Sequence, residues 1–170
     1  RQEGFDRHVS FFHGCYINYN YPDLGKDLVH VLNALGYGVH LLEREKCCGV
    51  ALIANGLYDQ ARRQALTNME SIRRSVTGER RPVIVASSTC TFTMRDEYPH
   101  VLGVGNEDVR DGIDLVTRFV YRIIDSGEAR LRFRDDVRMK AAYHTACHME
   151  RLGWSCYSIA LLRMIPTLEL

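Results

Sequence analysis

The sequence predicts an α/β fold: an open, mainly parallel, Rossmann-like sheet with flanking helices. Short apolar runs bounded by Gly, Pro or Ser alternate with longer stretches whose apolar residues recur at three- and four-residue steps, the order that builds parallel sheets. The cysteines then fall one after another just behind the apolar runs, at the strand ends where such sheets place their sites.

Taken in order, "RHVSFFHGC" (7–15) reads as a short buried strand closed by Gly14. "YPDLGKDLVHVLNALGYG" (21–38) reads as a helix, with Pro22 in the first turn, an apolar face of Leu24, Leu28, Val31 and Leu35, and Gly36 at its end. "GVHLLE" is the second strand, and "LYDQARRQALTNMESIRRSVTG" (57–78) the second helix, with Ala65, Met69, Ile72 and Val76 in register and Gly78 as its stop. "RPVIVASS" is the clearest strand, an unbroken apolar run between Pro82 and two serines. "GNEDVRDGIDLVTRFVYRIIDSG" (105–127) reads as a third long helix: Asn106 caps it, Glu107, Asp108 and Asp111 sit near its positive end, and Val109, Ile113, Val116 and Val120 form its face. "RMKAAYHT" (138–145) returns to strand as the fourth of the sheet.

The tail echoes the beginning. "AAYHTAC" followed by "SCYSIALLRMIPTLEL" repeats the order of "FFHGC", helix and "GVHLLE". Residues 1–135 therefore read as a first domain and 136–170 as the truncated start of a second repeat. The step of 32 from Cys15 to Cys47, taken again from Cys147, passes residue 170. With no initiator Met and no signal-peptide pattern in "RQEGFDRHVSFF", the chain reads as a piece of something larger.

Composition narrows the function classes. A net charge of +1 over 170 residues argues against a dedicated nucleic-acid surface, and the basic stretch "SIRRSVTGERRP" reads as solvated surface. No apolar run is long enough to span a bilayer, so any membrane contact is peripheral or through a partner.

The six cysteines are too dispersed for a small disulfide scaffold, and metal or redox chemistry outranks disulfides. Cys15 follows the first strand, Cys47 and Cys48 the second, Cys90 the third and Cys147 the fourth. Adjacent strands lie about 4.8 Å apart, so loops from neighbouring tips can converge on one object. Single cysteines are often small core residues, which is the reading for Cys156. Four thiols on consecutive tips, two of them adjacent, read instead as metal ligands. In "EKCCGVALIANG" the double cysteine puts two ligands on one turn, with Gly49 giving the backbone clearance beside inorganic sulfide and a helix starting around Ala54 to Leu57 adding a positive dipole end.

Four motifs in order, "FHGCYINYNYPDLGKDLVHVLNALG", "EKCCGVALIANG", "SSTCTFTMRDEYP" and "YHTACHMERLGW", resemble the cysteine-rich CCG domain family, which occurs in tandem in several iron–sulfur subunits and most closely in the anaerobic glycerol-3-phosphate dehydrogenase branch. The resemblance covers essentially the whole chain. It implies a non-catalytic iron–sulfur electron carrier of a membrane-associated complex. Such a carrier takes electrons from flavin-containing catalytic subunits oxidising sn-glycerol 3-phosphate and passes them toward menaquinone, in peripheral contact with the cytoplasmic face of the inner membrane. The ligands it implies are Cys15, Cys47, Cys48 and Cys90, with Cys147 as the first ligand of the next copy. The family's last motif is C-x-x-C, and its first position here is Ser87, a poor substitute for thiolate. The isolated fragment can therefore lack its cluster. His13 reads either as a satisfied strand-end residue or as a donor to cluster sulfur.

A zinc-stabilised docking module is the alternative, since four thiolates also make a structural zinc site. His144 and His148 beside Cys147 could suggest a thiol enzyme, but no orienting third group is evident. No G-x-G-x-x-G follows the first strand, so a nucleotide-binding site is not expected.

Overall fold

The computed structural model describes residues 2–134, 136 and 138–170. Strand β1 (Arg7–Phe12) leads through helices α1 (Gly14–Tyr19) and α2 (Pro22–Ala34) to β2 (Tyr37–Leu41). Helices α3 (Val50–Ala54) and α4 (Tyr58–Arg73), the latter widened into a π-turn over Arg74–Gly78, lead to β3 (Val83–Val85). Helix α5 (Ser88–Phe92), a second π-turn over Thr93–Glu97 and α6 (Tyr98–His100) precede β4 (Ile113–Leu115), which runs straight into α7 (Val116–Asp125).

These four strands form one all-parallel sheet in the order β2-β1-β3-β4. Alternation along the strands sends side chains to two cores. Phe12, Val83, Val85 and Ile113 meet Ala61, Ala65, Met69 and Ile72 of α4, together with Met94 and Tyr98. Val9, Phe11, Val39 and Ile84 meet Leu32 and Leu35, at the end of α2, and Val120 and Ile123 of α7. Continuous apolar strands covered on both faces are the rule for parallel sheets. The chain steps from β1 outward to β2 and then back across to β3, so β1 and β3 flank the point where strand order reverses. That is where open α/β sheets form a crevice beyond their carboxyl ends.

The parallel α/β architecture is as expected, but three elements differ. The stretch read as one helix over 105–127 is a turn, a 3₁₀ turn (Arg110–Gly112), β4 and α7. Its apolar residues keep helical spacing across a strand-to-helix junction, which hid the break. Gly112 reveals it: a Cβ there would lie 2.5 Å from Val76 Cγ1, so the backbone must press against α4's extension. Asn106 caps no helix. It is 1% exposed and donates to the carbonyls of Met94 (2.7 Å) and Arg95 (3.0 Å).

Because β4 completes the sheet, the strand expected as fourth lies elsewhere. β5 (Met139–Lys140) pairs in parallel with β6 (Leu168–Glu169) in a separate two-stranded sheet, joined through α8 (Cys147–Leu152) and α9 (Ser155–Arg163). This unit docks on the larger one. Trp154 lies between the guanidinium groups of Arg118 (4.4 Å) and Arg95 (5.0 Å), and Ser158 Oγ donates to Thr117 Oγ1 at 3.0 Å.

The third difference is the face of α2. Leu32 and Leu35 are buried, whereas Leu24 and Val31 are exposed. Gly25 replaces Leu24 on the inner face because α1, unanticipated in sequence, brings Ile17 Cγ2 to 2.7 Å from where a Cβ would stand.

On the neighbouring strands β1 and β2, His8 Nδ1 and His40 Nε2 lie 3.0 Å apart. Burial, then the charges of Arg81 and His8, hold His40 below its ordinary 6.5 against the opposing pull of Glu79. The unfolded chain therefore binds that proton first, so the stability present above pH 6.5 is lost as pH falls below it. Urea unfolding at a series of pH values is expected to show the midpoint of the parent falling relative to that of His40→Gln as pH drops from about 7 to about 5.5.

Candidate metal centre

Three loops leave adjacent strand tips and bring four thiols to the crevice. Cys15 is the second residue of α1, directly after β1. Cys47 and Cys48 close the turn after β2, and Cys90 lies in α5, directly after β3. Cys47 Sγ is 3.6 Å from Cys15 Sγ, and Cys48 is within hydrogen-bonding reach of both Cys47 and Cys90. The set is graded in depth, with Cys15 exposed, Cys47 half-buried, and Cys48 and Cys90 buried. The loop after β1 is pressed close: a Cβ on Gly14, whose φ is +70°, would stand 3.5 Å from Cys90 Sγ.

Backbone amides surround the sulfurs. Tyr16 N–H reaches Cys15, Gly49 N–H reaches Cys47, and Val50 N–H, at the very start of α3, reaches Cys48. The helix behind the double cysteine thus begins at Val50 rather than around Ala54 to Leu57. The role of Gly49 also differs from the expectation. Its φ of +91° demands glycine, while its missing side chain would meet Ala61 of α4 at 3.6 Å and not the thiols.

Crowding suppresses ionisation of Cys47 and Cys48. The hydrogen bond from Cys48, then burial, pushes Cys47 well above the usual thiol range. For Cys48 the hydrogen bond with Cys47 pulls down but is outweighed by Cys90's hydrogen bond, burial and Cys90's charge, leaving it pushed up to about 12. Cys90 alone is lowered, by its hydrogen bond with Cys48 against burial, with help from Ser87. Thiols that resist ionisation while protonated together are the state a cationic centre would reverse, since metal binding expels the protons.

Ser87 is a helix cap. Its backbone is extended, and its Oγ accepts from Cys90 N–H at 3.5 Å, which orients the cysteine rather than replacing one. His13 is tied to Glu45: its Nδ1 lies 3.2 Å from Glu45 Oε1 and its backbone N–H donates to Glu45 Oε2 at 3.2 Å. Cys147 is exposed at the start of α8, and the next residue, His148, meets Thr89, the neighbour of Cys90, at 3.1 Å. Cys156 is exposed as well, not core; its thiol turns toward the Gly153 carbonyl.

Sequence reasoning missed Glu45. Its side chain is 5% exposed, it accepts from the N–H groups of His13 and Gly14 (2.8 Å), and burial, opposed chiefly by His13, raises it to about 7. It ties the tip of β2 to the tip of β1. Nothing in "EREK" distinguishes Glu45 from Glu43, because only the turn, in which Arg44 takes a left-handed φ of +56°, directs one inward.

The donor chemistry suits iron–sulfur better than one ion. Among the described residues no three His, Cys, Asp or Glu side chains are arranged to hold a single metal ion. Structural zinc needs four donors about one point, so the zinc alternative has no support. Soft thiols offered from three loops are donors of the type that iron–sulfur clusters take.

A family model described as a cysteine-rich CCG domain matches residues 9–95. The chain belongs to the cysteine-rich CCG domain family. Within it, the CCG chain is 56% identical over its full length to a subunit of the anaerobic glycerol-3-phosphate dehydrogenase of Escherichia coli K12, covering 42% of that protein. It is 32% identical to lactate utilization protein A of Anoxybacillus flavithermus, over 95% of this chain and 66% of that one. It is 29% identical to a subunit of the CoM/CoB fumarate reductase of Methanothermobacter marburgensis, over 95% of this chain and 30% of that one. No solved structure matches it.

Glu45→Leu would keep the volume and remove both acceptors from His13 and Gly14. The expected result is a loss of about 2 kcal/mol, measured as a lower urea midpoint.

Proposed function

We propose that this chain is the CCG portion of an iron–sulfur electron-transfer subunit in a membrane-associated anaerobic sn-glycerol-3-phosphate dehydrogenase. Cys15, Cys47, Cys48 and Cys90 would hold the cluster, and Cys147 would open a second site in a domain that begins near residue 136. The observation that carries the reading is the meeting of four thiols from three neighbouring strand tips, with Cys15 and Cys47 in sulfur-to-sulfur contact. The similarity to the Escherichia coli protein over the whole chain supports the choice of complex.

A bound cluster would supply reversible one-electron storage at this edge. The chain's own residues do the rest. Cys48 and Cys90 anchor from the dry side, while exposed Cys15 keeps one flank near the surface, where an electron can enter or leave. Tyr16, Gly49 and Val50 aim amide hydrogens at sulfur, which favours the more negative charge state. In this reading flavin-containing subunits deliver electrons and the quinone pool receives them. The protein rests peripherally on the cytoplasmic face of the inner membrane; no helix among the described residues is long and apolar enough to cross it.

Anaerobic purification followed by iron and sulfide determination and visible absorbance tests the proposal. The parent chain, or one reconstituted with iron and sulfide under reductant, is expected to bind both and absorb broadly. Single Ser replacements of Cys15, Cys47, Cys48 or Cys90 are expected to lower the iron content, whereas Cys156→Ser leaves it unchanged. A chain that stays colourless after reconstitution, both alone and when extended to a complete second repeat, would overturn the reading.

A further inference from the structure

An asparagine sits where a helix should be apolar. On α4 the inward positions run Ala61, Ala65, Met69 and Ile72, each fully buried, and Asn68 joins them at 1% exposure. A mid-helix asparagine on a core face lowers helix propensity and costs free energy unless its amide is fully bonded. Here every function of the amide is engaged. Its Oδ1 accepts from Lys46 N–H at 2.8 Å, and its Nδ2 donates to the carbonyl of Cys47 at 3.2 Å and to the hydroxyl of Tyr98 at 3.0 Å. Tyr98, fully buried, passes its own hydrogen to the carbonyl of Cys48 at 3.0 Å.

Three bonds from two buried side chains, themselves joined by a fourth, thus grip the backbone of three consecutive residues, Lys46, Cys47 and Cys48, from beneath the thiols. Neither side chain touches sulfur in these bonds. We infer that Asn68 and Tyr98 are positioning residues that set the spacing and direction of the Cys47 and Cys48 sulfurs, an inference that takes its purpose from the iron–sulfur reading above. The turn needs such a brace because its two side chains must point into one small volume from adjacent positions, an arrangement that strand and helix geometry do not supply by themselves. A buried, fully satisfied network is directional and fixes one conformation.

Tyr98→Phe keeps the ring in the core and removes only the hydroxyl, and Asn68→Leu keeps most of the volume and removes the amide. Val120→Ala, on the opposite face of the sheet, serves as a control of comparable stability loss. The first readout needs no metal: in the chelated, reduced chain, iodoacetamide labelling of each cysteine is followed by mass spectrometry. Cys48, 1% exposed, labels only through local opening. Tyr98→Phe is expected to speed its labelling by about fivefold, the factor one lost hydrogen bond allows, and Asn68→Leu by more, while Val120→Ala leaves it near the parent rate. The second readout is the iron-loaded chain, in which both turn variants, and not the control, are expected to shift the absorbance spectrum and the midpoint potential. Labelling and spectra unchanged in Tyr98→Phe, or changed equally in Val120→Ala, would overturn the inference. A chain that takes up no iron, both alone and when extended to a complete second repeat, would sink the iron–sulfur reading instead, and the labelling rates would still decide the brace.

Discussion

The structure depends on the spacing of parallel strands at a point where their order reverses. Strands β2, β1 and β3 are neighbours, and each must turn at its carboxyl end within about 5 Å of the next. The chain departs from β1 toward one side and returns to β3 on the other, so helices are drawn away to both faces and the crevice between the tips stays open. Cysteines 75 residues apart, Cys15 and Cys90, become neighbours for that reason alone. No local property of either loop would bring them together.

Convergence by itself leaves the thiols loosely aimed, and the buried polar groups around them add direction. Glu45 ties the β1 tip to the β2 tip, Ser87 orients Cys90, and Asn68 with Tyr98 holds the double-cysteine turn. Each is a polar group placed where burial makes an unmet hydrogen bond expensive, so each admits few arrangements. The apolar cores on the two faces supply most of the stability, since area burial is non-directional and indifferent to where a sulfur points. The division of labour is spatial. Hydrophobic contact closes the sheet between its helices, and hydrogen bonding shapes the edge that carries chemistry.

The same logic explains the second, smaller unit. A two-stranded parallel sheet buries little by itself, so β5 and β6 need support from their surroundings. Trp154 stacked between Arg95 and Arg118 supplies it, with α8 lying along α5 and α9 along α7. The first thiol of that unit, Cys147, is thereby carried to the neighbourhood of the α5 helix that holds Cys90, through the contact of His148 with Thr89.

Much of this was legible in the residues. Pro22 and Gly36 marked the ends of α2, the apolar spacing in 57–78 gave α4 with Ala65, Met69 and Ile72 fully buried, and the runs at 7–12 and 83–85 are strands. The order of the cysteines behind those runs was enough to place Cys15, Cys47, Cys48 and Cys90 at one edge, because parallel topology is dictated by the alternation itself. What the residues concealed was decided in three dimensions. The strand β4 hid inside a helical spacing because Ile113 faces α4's core while Val116 and Val120 face the other side, a switch that periodicity along one chain cannot register. Glu45, Asn68 and Tyr98 read as ordinary polar residues until their partners, 21 to 50 positions away, are in place. Chain order determined which thiols could meet. Only tertiary packing, which satisfies each buried donor and acceptor at a fixed distance and angle, decided how they are held.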